Sequence, residues 1–216
     1  MKKIFVLFLL ILSYCARANE YSYFCSQNFP KKNFSGFISS ATGINLLSRN
    51  AIEHIIEKTI KRETNAKFKV KINNFYSINL LNGEFASLYV KAKKYEHDGI
   101  YLSNINVNTL CGYNHVLFEE EKLYFIENIV LKLKAEFTSE QLKKTIVSGK
   151  LNKKLAKLLN KILKNEVFIA IANTFLPITL PIKIDDNNKG QLKITNIYKS
   201  KNNLAFESYI LIPKNK

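Results

Sequence analysis

Histidine, cysteine and glycine are scarce in this chain of 216 residues, which has three His, three Cys and seven Gly. The sequence contains no CxxC pair, no HExxH motif and no cluster of Cys with His. Those spacings bring metal ligands together in the sites that sequence alone can recognise. We therefore predict neither a metal site nor a cofactor.

Sequence signatures of catalysis are missing as well, since there is no G-x-S-x-G elbow and no glycine-rich phosphate loop. His54 lies within a helical pattern, and His97 and His115 lie near predicted turns. His97 precedes Asp98, but adjacency in sequence does not make a catalytic dyad. We expect a protein that is not an enzyme. The remaining catalytic hypothesis is an envelope hydrolase whose site assembles from scattered residues.

Long apolar runs are limited to residues 4–12, which follow Lys2 and Lys3. Ala16 and Ala18 then supply the small residues at positions −3 and −1 that signal peptidase requires. This pattern predicts a secretory signal peptide over residues 1–18, cleaved after Ala18. No later segment reaches the roughly 18 apolar residues of a membrane span. We expect an exported protein of the periplasm or cell envelope, soluble or peripheral to the membrane.

A second interpretation of the same segment is a lipoprotein anchored through Cys15. Tyr14 argues against it, because a lipobox requires a small residue at that position. After cleavage, two cysteines remain. Cys25 and Cys111 can pair in an oxidising compartment, although both can also be buried free thiols.

Positive charge is abundant, with 33 Lys and Arg against 17 Asp and Glu. The predicted signal carries three of the basic residues and no acidic ones, so the mature chain has a net charge of +13. Such a charge favours anionic partners. The codon usage of an A+T-rich genome would also raise the Lys content. Export, the scarcity of Arg and the lack of a recognisable binding module argue against nucleic acid.

Hydrophobic periodicity divides the mature chain into an irregular arm over residues 19–44 and one domain over residues 45–216. An amphipathic helix is predicted first, with apolar positions at three- and four-residue spacing: Leu47, Ala51, Ile52, Ile55, Ile56, Thr59 and Ile60. Strands are predicted over residues 66–72, 84–94, 100–110 and 122–137. The apolar phase shifts within the third, which predicts a β-bulge.

Two helices and further strands follow. Thr138 and Gln141 have the spacing of a capping box, which predicts a helix start. A second helix is predicted over residues 150–164, after Gly149. VFIAIA and FLPITLPIKI are interpreted as β-rich, and residues 190–198 and 203–212 as a closing hairpin. The order of elements predicts an α+β domain with an antiparallel sheet.

Several of these segments together resemble a known family. The helix LLSRNAIEHIIEKTI leads into a strand with alternating lysines, then L-x-x-G (residues 80–83), F-x-x-L-x-V-x-A (85–92), D-G-I-x-L-S-x-I-x-V (98–107) and T-S-E-Q-L (138–142). The pattern resembles the LmeA-like family of bacterial envelope phospholipid-binding proteins over residues 45–164, and more loosely beyond. The high Lys content and the aromatic residues between 21 and 37 depart from that family.

The resemblance implies a lipid-binding protein without established catalysis. Its implied fold is a curved antiparallel β-sheet wrapped around a long amphipathic helix, with additional C-terminal helices and strands. If the helix does not fill the sheet, the remaining space is an apolar groove. We predict that six residues line this groove: Leu88, Val90, Ile105, Val107, Leu131 and Leu133. The alternative for each residue, favoured when it is taken singly, is an ordinary core position. The small residues Ala86, Ala92 and Ala135 are expected to leave room there.

The helix predicted over residues 150–164 has leucines on one side and lysines on the other, as membrane-surface helices do. The candidates for membrane contact are Lys150, Lys153, Lys154, Lys157 and Lys161. The alternative is a helix packed on the sheet with a solvated basic side. The sequence therefore predicts an envelope protein that binds an anionic phospholipid, for transport or envelope maintenance. The competing hypothesis is a structural or interaction module with a packed core and no ligand. Neither hypothesis identifies a protein partner.

Overall fold

The computed structural model describes residues 24–25, 44–64, 66–119, 122–149, 161, 166–184 and 188–216. Its helices are α1 (Ile44–Thr64), α2 (Ser77–Leu81), α3 (Ser139–Val147) and α4 (Glu166–Thr174). Its strands are β1 (Phe68–Asn73), β2 (Glu84–Phe85), β3 (Ser87–His97), β4 (Ile100–Thr109), β5 (Asn114–Glu119), β6 (Lys122–Phe125), β7 (Ile129–Phe137), β8 (Ile178–Lys183), β9 (Lys189–Ser200) and β10 (Asn203–Ile212).

A seven-stranded sheet in the order β1-β3-β4-β7-β10-β9-β8 forms the body of the described chain. Every neighbouring pair in it is antiparallel. The chain is therefore an α+β protein with a mainly antiparallel sheet, as predicted. Among the described elements, α1 contacts β1 and, less extensively, β3.

Two-residue turns set the register of the long hairpins. Asp98 and Gly99 join β3 to β4, and both have positive φ, of 48° and 73°. Asp-Gly is favoured there because both central residues of a type I′ turn need positive φ. Gly83 is required for a different reason: a Cβ on this residue would lie 1.8 Å from the Val116 carbonyl oxygen.

A small sheet, β2-β5-β6, packs at one end of the large one. Phe125 of β6 is buried together with Ile129 and Ile212 of the large sheet, and Val116 of β5 packs against them. Asn114, fully buried in β5, donates hydrogen bonds to the Cys111 and Ala86 carbonyls at 3.0 and 3.1 Å. The small sheet therefore covers the end of the large sheet at which β7 begins.

Helix α1 covers the β1 edge of the large sheet. Ile52, Ile56 and Ile60, spaced four residues apart, pack against the buried cluster of Val70, Ile72 and Leu80. The neighbouring stripe of Ala51, Ile55 and Thr59, predicted to be part of the same apolar face, is exposed. The prediction that this stripe belongs to the buried face was wrong. The edge of the sheet is narrow, so it covers only one side of the helix.

Glutamates of α1 also satisfy the backbone of β1. Glu57 Oε1 accepts a hydrogen bond from the Val70 N–H at 2.8 Å, and Glu53 Oε1 accepts one from the Ile72 N–H at 2.7 Å. The outer N–H groups of an edge strand would otherwise be available to pair with another strand. Two carboxylates one helical turn apart therefore replace the missing neighbouring strand.

Two other helices cap strand edges in the same manner. In α3, Thr145 Oγ1 accepts a hydrogen bond from the Tyr101 N–H at 3.1 Å, and Gln141 Nε2 donates to the Leu102 carbonyl at 3.2 Å. In α4, the Asn173 side chain both donates to the Ile197 carbonyl (2.7 Å) and accepts from its N–H (3.0 Å). Each helix therefore satisfies backbone groups of a strand.

Several sequence predictions are confirmed. The β4 register shifts between Ser103 and Asn106, and Asn104 has a φ of 49°, so the predicted bulge is present. Thr138 Oγ1 accepts from the Gln141 N–H, and Gln141 Oε1 accepts from the Thr138 N–H, both at 3.1 Å, which completes the capping box. The closing hairpin is β9–β10.

Other predictions are wrong. The strand predicted over residues 84–94 is divided between β2 and β3, which lie in different sheets. The long strand predicted over residues 122–137 is interrupted at 126–128, so that β6 pairs with β5 and β7 with β4 and β10. VFIAIA forms helix α4 instead of a strand. Short apolar runs do not distinguish a strand from a buried helix turn.

Candidate functional site

One face of the large sheet is apolar across its width, and cross-strand pairing arranges its side chains in rows. The central row contains Val90 of β3, Val107 of β4, Leu133 of β7, Ser208 of β10 and Ile194 of β9, each directly opposite the next. Residues that pair directly in antiparallel strands project from the same side of a sheet. We call this side the inner face.

The next row, toward the small sheet, contains Thr109, Leu131, Ile210 and Leu192, joined by direct pairing. Leu88 belongs to the same row, because it pairs with Ile72 two positions from Val90. On the other side of the central row, Ile105 pairs with Ala92. All six residues predicted to line a groove therefore lie on the inner face.

Burial divides those six residues into two groups. Ile105 is only 6 % exposed and packs with Ala92 and Ala135, each 1 % exposed. The space beside Ala92 and Ala135 is occupied by neighbouring side chains, so these two alanines leave no room for a ligand, contrary to expectation. The other five predicted residues are half-buried: Leu88, Val90, Val107, Leu131 and Leu133. Ile105 therefore belongs to a packed core, and the two central rows remain the candidate groove.

Ser208 lies in the middle of the inner face and was not singled out from the sequence. Its side chain is completely buried, and its Oγ has no hydrogen-bond partner among the described residues. Thr109, the other hydroxyl in these rows, accepts the Leu88 N–H at 3.0 Å. Ser208 is therefore the one polar group of the described inner face without a hydrogen-bond partner. A buried hydroxyl in this state costs free energy.

The opposite, outer face is polar and basic. Lys134 pairs directly with Glu207 across β7 and β10, and their side chains form an ion pair at 2.5 Å. Lys132 Nζ lies 3.4 Å from the same carboxylate. Burial alone would raise the pKa of Glu207, but the hydrogen bond and charges of Lys134 and Lys132 outweigh it and lower this pKa. The contrast between faces agrees with a sheet covered on one side only.

A second carboxylate on the outer face secures the β4 bulge. Glu136 accepts hydrogen bonds from Asn203 (2.7 Å), Asn104 (2.9 Å) and Ser200 (3.2 Å). Burial would raise the pKa of Glu136, but these three donors favour the ionised form and lower it. Because Asn104 has positive φ, this network stabilises a backbone conformation that few residues adopt.

A disulfide joins Cys25 to Cys111, with 5.2 Å between their Cα atoms. Cys111 is buried with Val130 and Leu211, while Cys25 packs against this cluster. Sequence alone left open whether these two thiols pair. The bond attaches the segment around Cys25 to the loop between β4 and β5.

The polar cluster closest to a catalytic arrangement lies in the small sheet. The Tyr113 hydroxyl donates to Glu84 Oε1 at 3.2 Å, and His115 Nδ1 lies 3.5 Å from the same hydroxyl. Burial, followed by the charge of Glu84, raises the pKa of Tyr113 to about 12. A phenol held neutral beside a carboxylate is a hydrogen-bond donor, not a nucleophile. The hydrogen bond therefore links β2 to the residue that directly precedes β5.

A cavity of about 1030 Å³ lies outside the two central rows of the inner face, between α1 and the strands β1 and β3. None of the six predicted groove residues lines it. Its walls are rich in lysine, a feature that sequence reasoning did not identify because the lysines come from three separate elements. Alternation of lysine along β1 and β3 was the available signal.

Exposed apolar side chains collect at the opposite edge of the sheet. Val167, Ile171 and Phe175, at four-residue spacing, are exposed along and just beyond α4, and Phe175 is 71 % exposed. Ile178 and Leu180 of β8 are exposed as well. The sequence analysis did not predict this exposed surface, because it interpreted the segment as β-rich and not as the helix α4.

Lys150, Lys153, Lys154 and Lys157 of the predicted membrane-surface helix lie outside the described residues, as does most of the arm over residues 19–44. Lys161 is exposed in a helical conformation. Among the described helices, none combines the length and hydrophobicity that crossing a membrane requires. No group of three or more His, Cys, Asp or Glu side chains in the described residues is arranged to hold a metal ion.

Comparison with known proteins identifies no relative: no family model, curated protein or solved structure matches the chain.

Proposed function

We propose that this protein is an exported cell-envelope protein that binds a phospholipid, with acyl chain held against the two central rows of the inner face. The finer fold that accompanies this proposal is a sheet curved around α1, as in the LmeA-like family that the sequence resembles. The observation that carries the proposal is the incomplete burial of five apolar side chains in the middle of the largest sheet: Leu88, Val90, Val107, Leu131 and Leu133.

Three features support acyl chain as the occupant. The central rows contain apolar side chains and only two hydroxyls, Thr109 and Ser208. The small sheet covers one end of the face, and the Ala92–Ile105–Ala135 cluster fills the other. Each methylene buried from water contributes about 0.8 kcal/mol, so a few methylenes suffice for measurable binding.

The high net charge supports an anionic headgroup and contact with an anionic bilayer. The exposed apolar surface of α4 and β8 would contribute to such contact. In this proposal the protein meets the membrane as a peripheral protein, and the lipid is used in transport or envelope maintenance.

Native mass spectrometry of the exported chain, with lipid analysis of an organic extract, tests the proposal directly. We expect co-purified phospholipid near one molecule per chain. A chain that stays without lipid after incubation with mixed bacterial phospholipids would contradict the proposal and support the packed module instead.

A paired substitution separates a groove from a packed core. Val107→Phe with Leu133→Phe adds bulk to one cross-strand pair of the inner face. In an open groove the rings displace lipid and leave stability nearly unchanged, whereas overpacking a filled core costs about 1–3 kcal/mol. The matched control is Asn108→Phe with Lys132→Phe, the adjacent cross-strand pair on the outer face, which should retain lipid.

A further inference from the structure

The cavity beside the β1 edge has a strongly basic lining. Seven lysines contribute to it, two from α1, one from the segment between α1 and β1, one from β1 and three from β3: Lys58, Lys61, Lys67, Lys69, Lys91, Lys93 and Lys94. Glu57, Glu96 and His54 complete the ionisable lining. With His54 neutral, the lining carries a net charge of +5. We call this cavity the lysine cleft.

The two carboxylates of the lysine cleft already have partners. Glu57 Oε1 accepts the Val70 N–H at 2.8 Å, and Glu96 Oε1 lies 2.5 Å from Lys94 Nζ. Among the described residues, Lys94 is the one member of the seven lysines that forms an ion pair. The remaining positive charge is therefore not neutralised by the described part of the chain.

Backbone pairing places these charges close to one another. Lys69 of β1 lies directly opposite Lys91 of β3 in the antiparallel register. Like charges in directly opposed positions disfavour the pairing. On α1, Lys58 and Lys61 are three residues apart and share a side of the helix. Two basic walls therefore border one cavity, and an anion between them would lower their electrostatic free energy.

The volume of the lysine cleft and its apolar lining residues restrict the class of anion that it can bind. A volume of about 1030 Å³ is that of a small-molecule site and exceeds what one phosphate group fills. Ala66, which is buried, and Phe68, which is half-buried, supply an apolar part of the lining. Lysine ammonium groups bind phosphate oxygens as mobile point charges, whereas arginine forks require a fixed geometry.

We propose that the lysine cleft is a binding site for a ligand that carries two or more phosphate groups. The phosphates lie between the α1 lysines and the strand lysines, and the less polar part of the ligand contacts Phe68. This site does not depend on the proposed function, because it shares no residue with the two central rows of the inner face. The phosphates can belong to a soluble compound or to a lipid headgroup, and the experiment distinguishes these sources.

The test uses the exported chain and its triple variant Lys58→Gln, Lys69→Gln, Lys91→Gln. The matched control is Lys122→Gln, Lys189→Gln, Lys214→Gln, which removes the same charge at exposed positions outside the cleft. Titration calorimetry with inorganic tripolyphosphate should show saturable binding that weakens at least about tenfold in the cleft variant. The control should stay within about twofold of the parent chain.

A second arm replaces tripolyphosphate with vesicles that contain cardiolipin, a lipid with two phosphate groups, in a phosphatidylcholine background. Loss of vesicle binding in the cleft variant alone identifies a headgroup site. Unchanged vesicle binding beside lost tripolyphosphate binding identifies a soluble phosphate compound. Absence of saturable tripolyphosphate binding, or equal weakening in the control, would overturn the proposal.

Chemical protection of the unmodified chain gives an answer that does not depend on how the variants fold. Reductive methylation followed by peptide mass spectrometry reports the accessibility of each lysine. Tripolyphosphate should slow methylation of Lys58, Lys69 and Lys91 and leave Lys122, Lys189 and Lys214 unaffected. Uniform slowing at all six positions would show that the anion merely screens the net charge.

Discussion

The two edges of the seven-stranded sheet are finished in opposite ways. At the β1 edge, α1 packs three isoleucines on the inner face, and two glutamates accept the outward N–H groups of Val70 and Ile72. At the β8 edge, no described element pairs with the outer side of the strand, and Ile178 and Leu180 are exposed. Pro181, which has no N–H to donate, lies in β8.

This difference shows that apolar alternation does not determine burial. Val70 and Ile178 lie at the two ends of the same inner-face row, and one is 3 % exposed while the other is 43 % exposed. The two exposures differ because α1 covers Val70, whereas no described helix covers Ile178 in this way. An open edge with apolar side chains attracts further chains or surfaces, so the β8 edge is where the proposed contact with a membrane would be made.

The largest effect is expected where the β1 edge loses its acceptors. Glu53→Ala with Glu57→Ala leaves two partly buried N–H groups without acceptors, at a cost of about 2–4 kcal/mol in the free energy of unfolding. Urea denaturation measures the loss. Glu140→Ala, at an exposed helix position, is the control and should change the midpoint little. Equal midpoints for the double variant and the parent would show that water replaces the carboxylates without cost.

Removing one isoleucine from α1 should have a somewhat smaller effect. Ile56→Ala removes a side chain packed on Val70 and Ile72, and we expect a loss of about 2 kcal/mol. Ile55→Ala, one residue earlier and 62 % exposed, should change stability by less than about 0.5 kcal/mol. Denaturation of both variants under identical conditions gives the comparison. Similar losses would mean that α1 presents a wider face to the sheet.

Charge placed on the open edge should affect association more than stability. Ile178→Lys with Leu180→Lys changes exposed side chains, so stability should shift by less than about 1 kcal/mol. Flotation with anionic vesicles should show weaker binding, although two positive charges have been added. Thr179→Lys with Lys183→Leu, which leaves the net charge unchanged, is a control at exposed positions in the same strand. Stronger binding by the double Lys variant would mean that charge alone governs contact.

The smallest effect concerns alkaline pH near the β1 edge. Tyr95 of β3 contacts Phe68 of β1 edge-to-face, and burial, followed by the charge of Asp98, raises its pKa above 10. The unfolded chain therefore loses this proton at lower pH than the folded chain. The resulting stability is complete below pH 10 and declines as pH rises through the folded-state pKa.

Tyr95→Phe should therefore lose less stability than the parent chain between pH 9 and pH 11. Urea denaturation at each pH measures the free energy of unfolding of both proteins. Tyr198→Phe, in β9 near the other edge, is the comparison variant. An identical pH profile for Tyr95→Phe and the parent would place the alkaline sensitivity elsewhere.

Local patterns in the sequence were sufficient to predict much of the secondary structure. The spacing of isoleucines predicted α1, alternating lysines predicted β1, and the phase shift at residues 102–105 predicted the bulge. These features are local, because they depend on helix and strand periodicity and on the conformations that a few residues allow. The strand interruptions at residues 86 and 126–128 escaped prediction, since both halves of each strand are apolar and only pairing with β5 separates them.

The candidate site was predicted in part. Periodicity assigned the six inner-face residues to one side, and cross-strand register then placed them together. Burial of Ile105 beside Ala92 and Ala135 could not be predicted, because small residues leave space or allow close approach depending on their neighbours. The lysine cleft also escaped prediction, since α1 and β3, which both line it, are separated in sequence by the 22 residues 65–86.

The amino-acid sequence by itself determined the basic charge, the segment that resembles a secretion signal, and the two-sided character of each strand. These properties depend on composition and on short-range spacing. Tertiary structure alone decided which apolar side chains are covered, which carboxylates cap the β1 edge and which lysines face one another. Those outcomes require residues distant in sequence to meet, and the pairing order of the strands determines which residues do so.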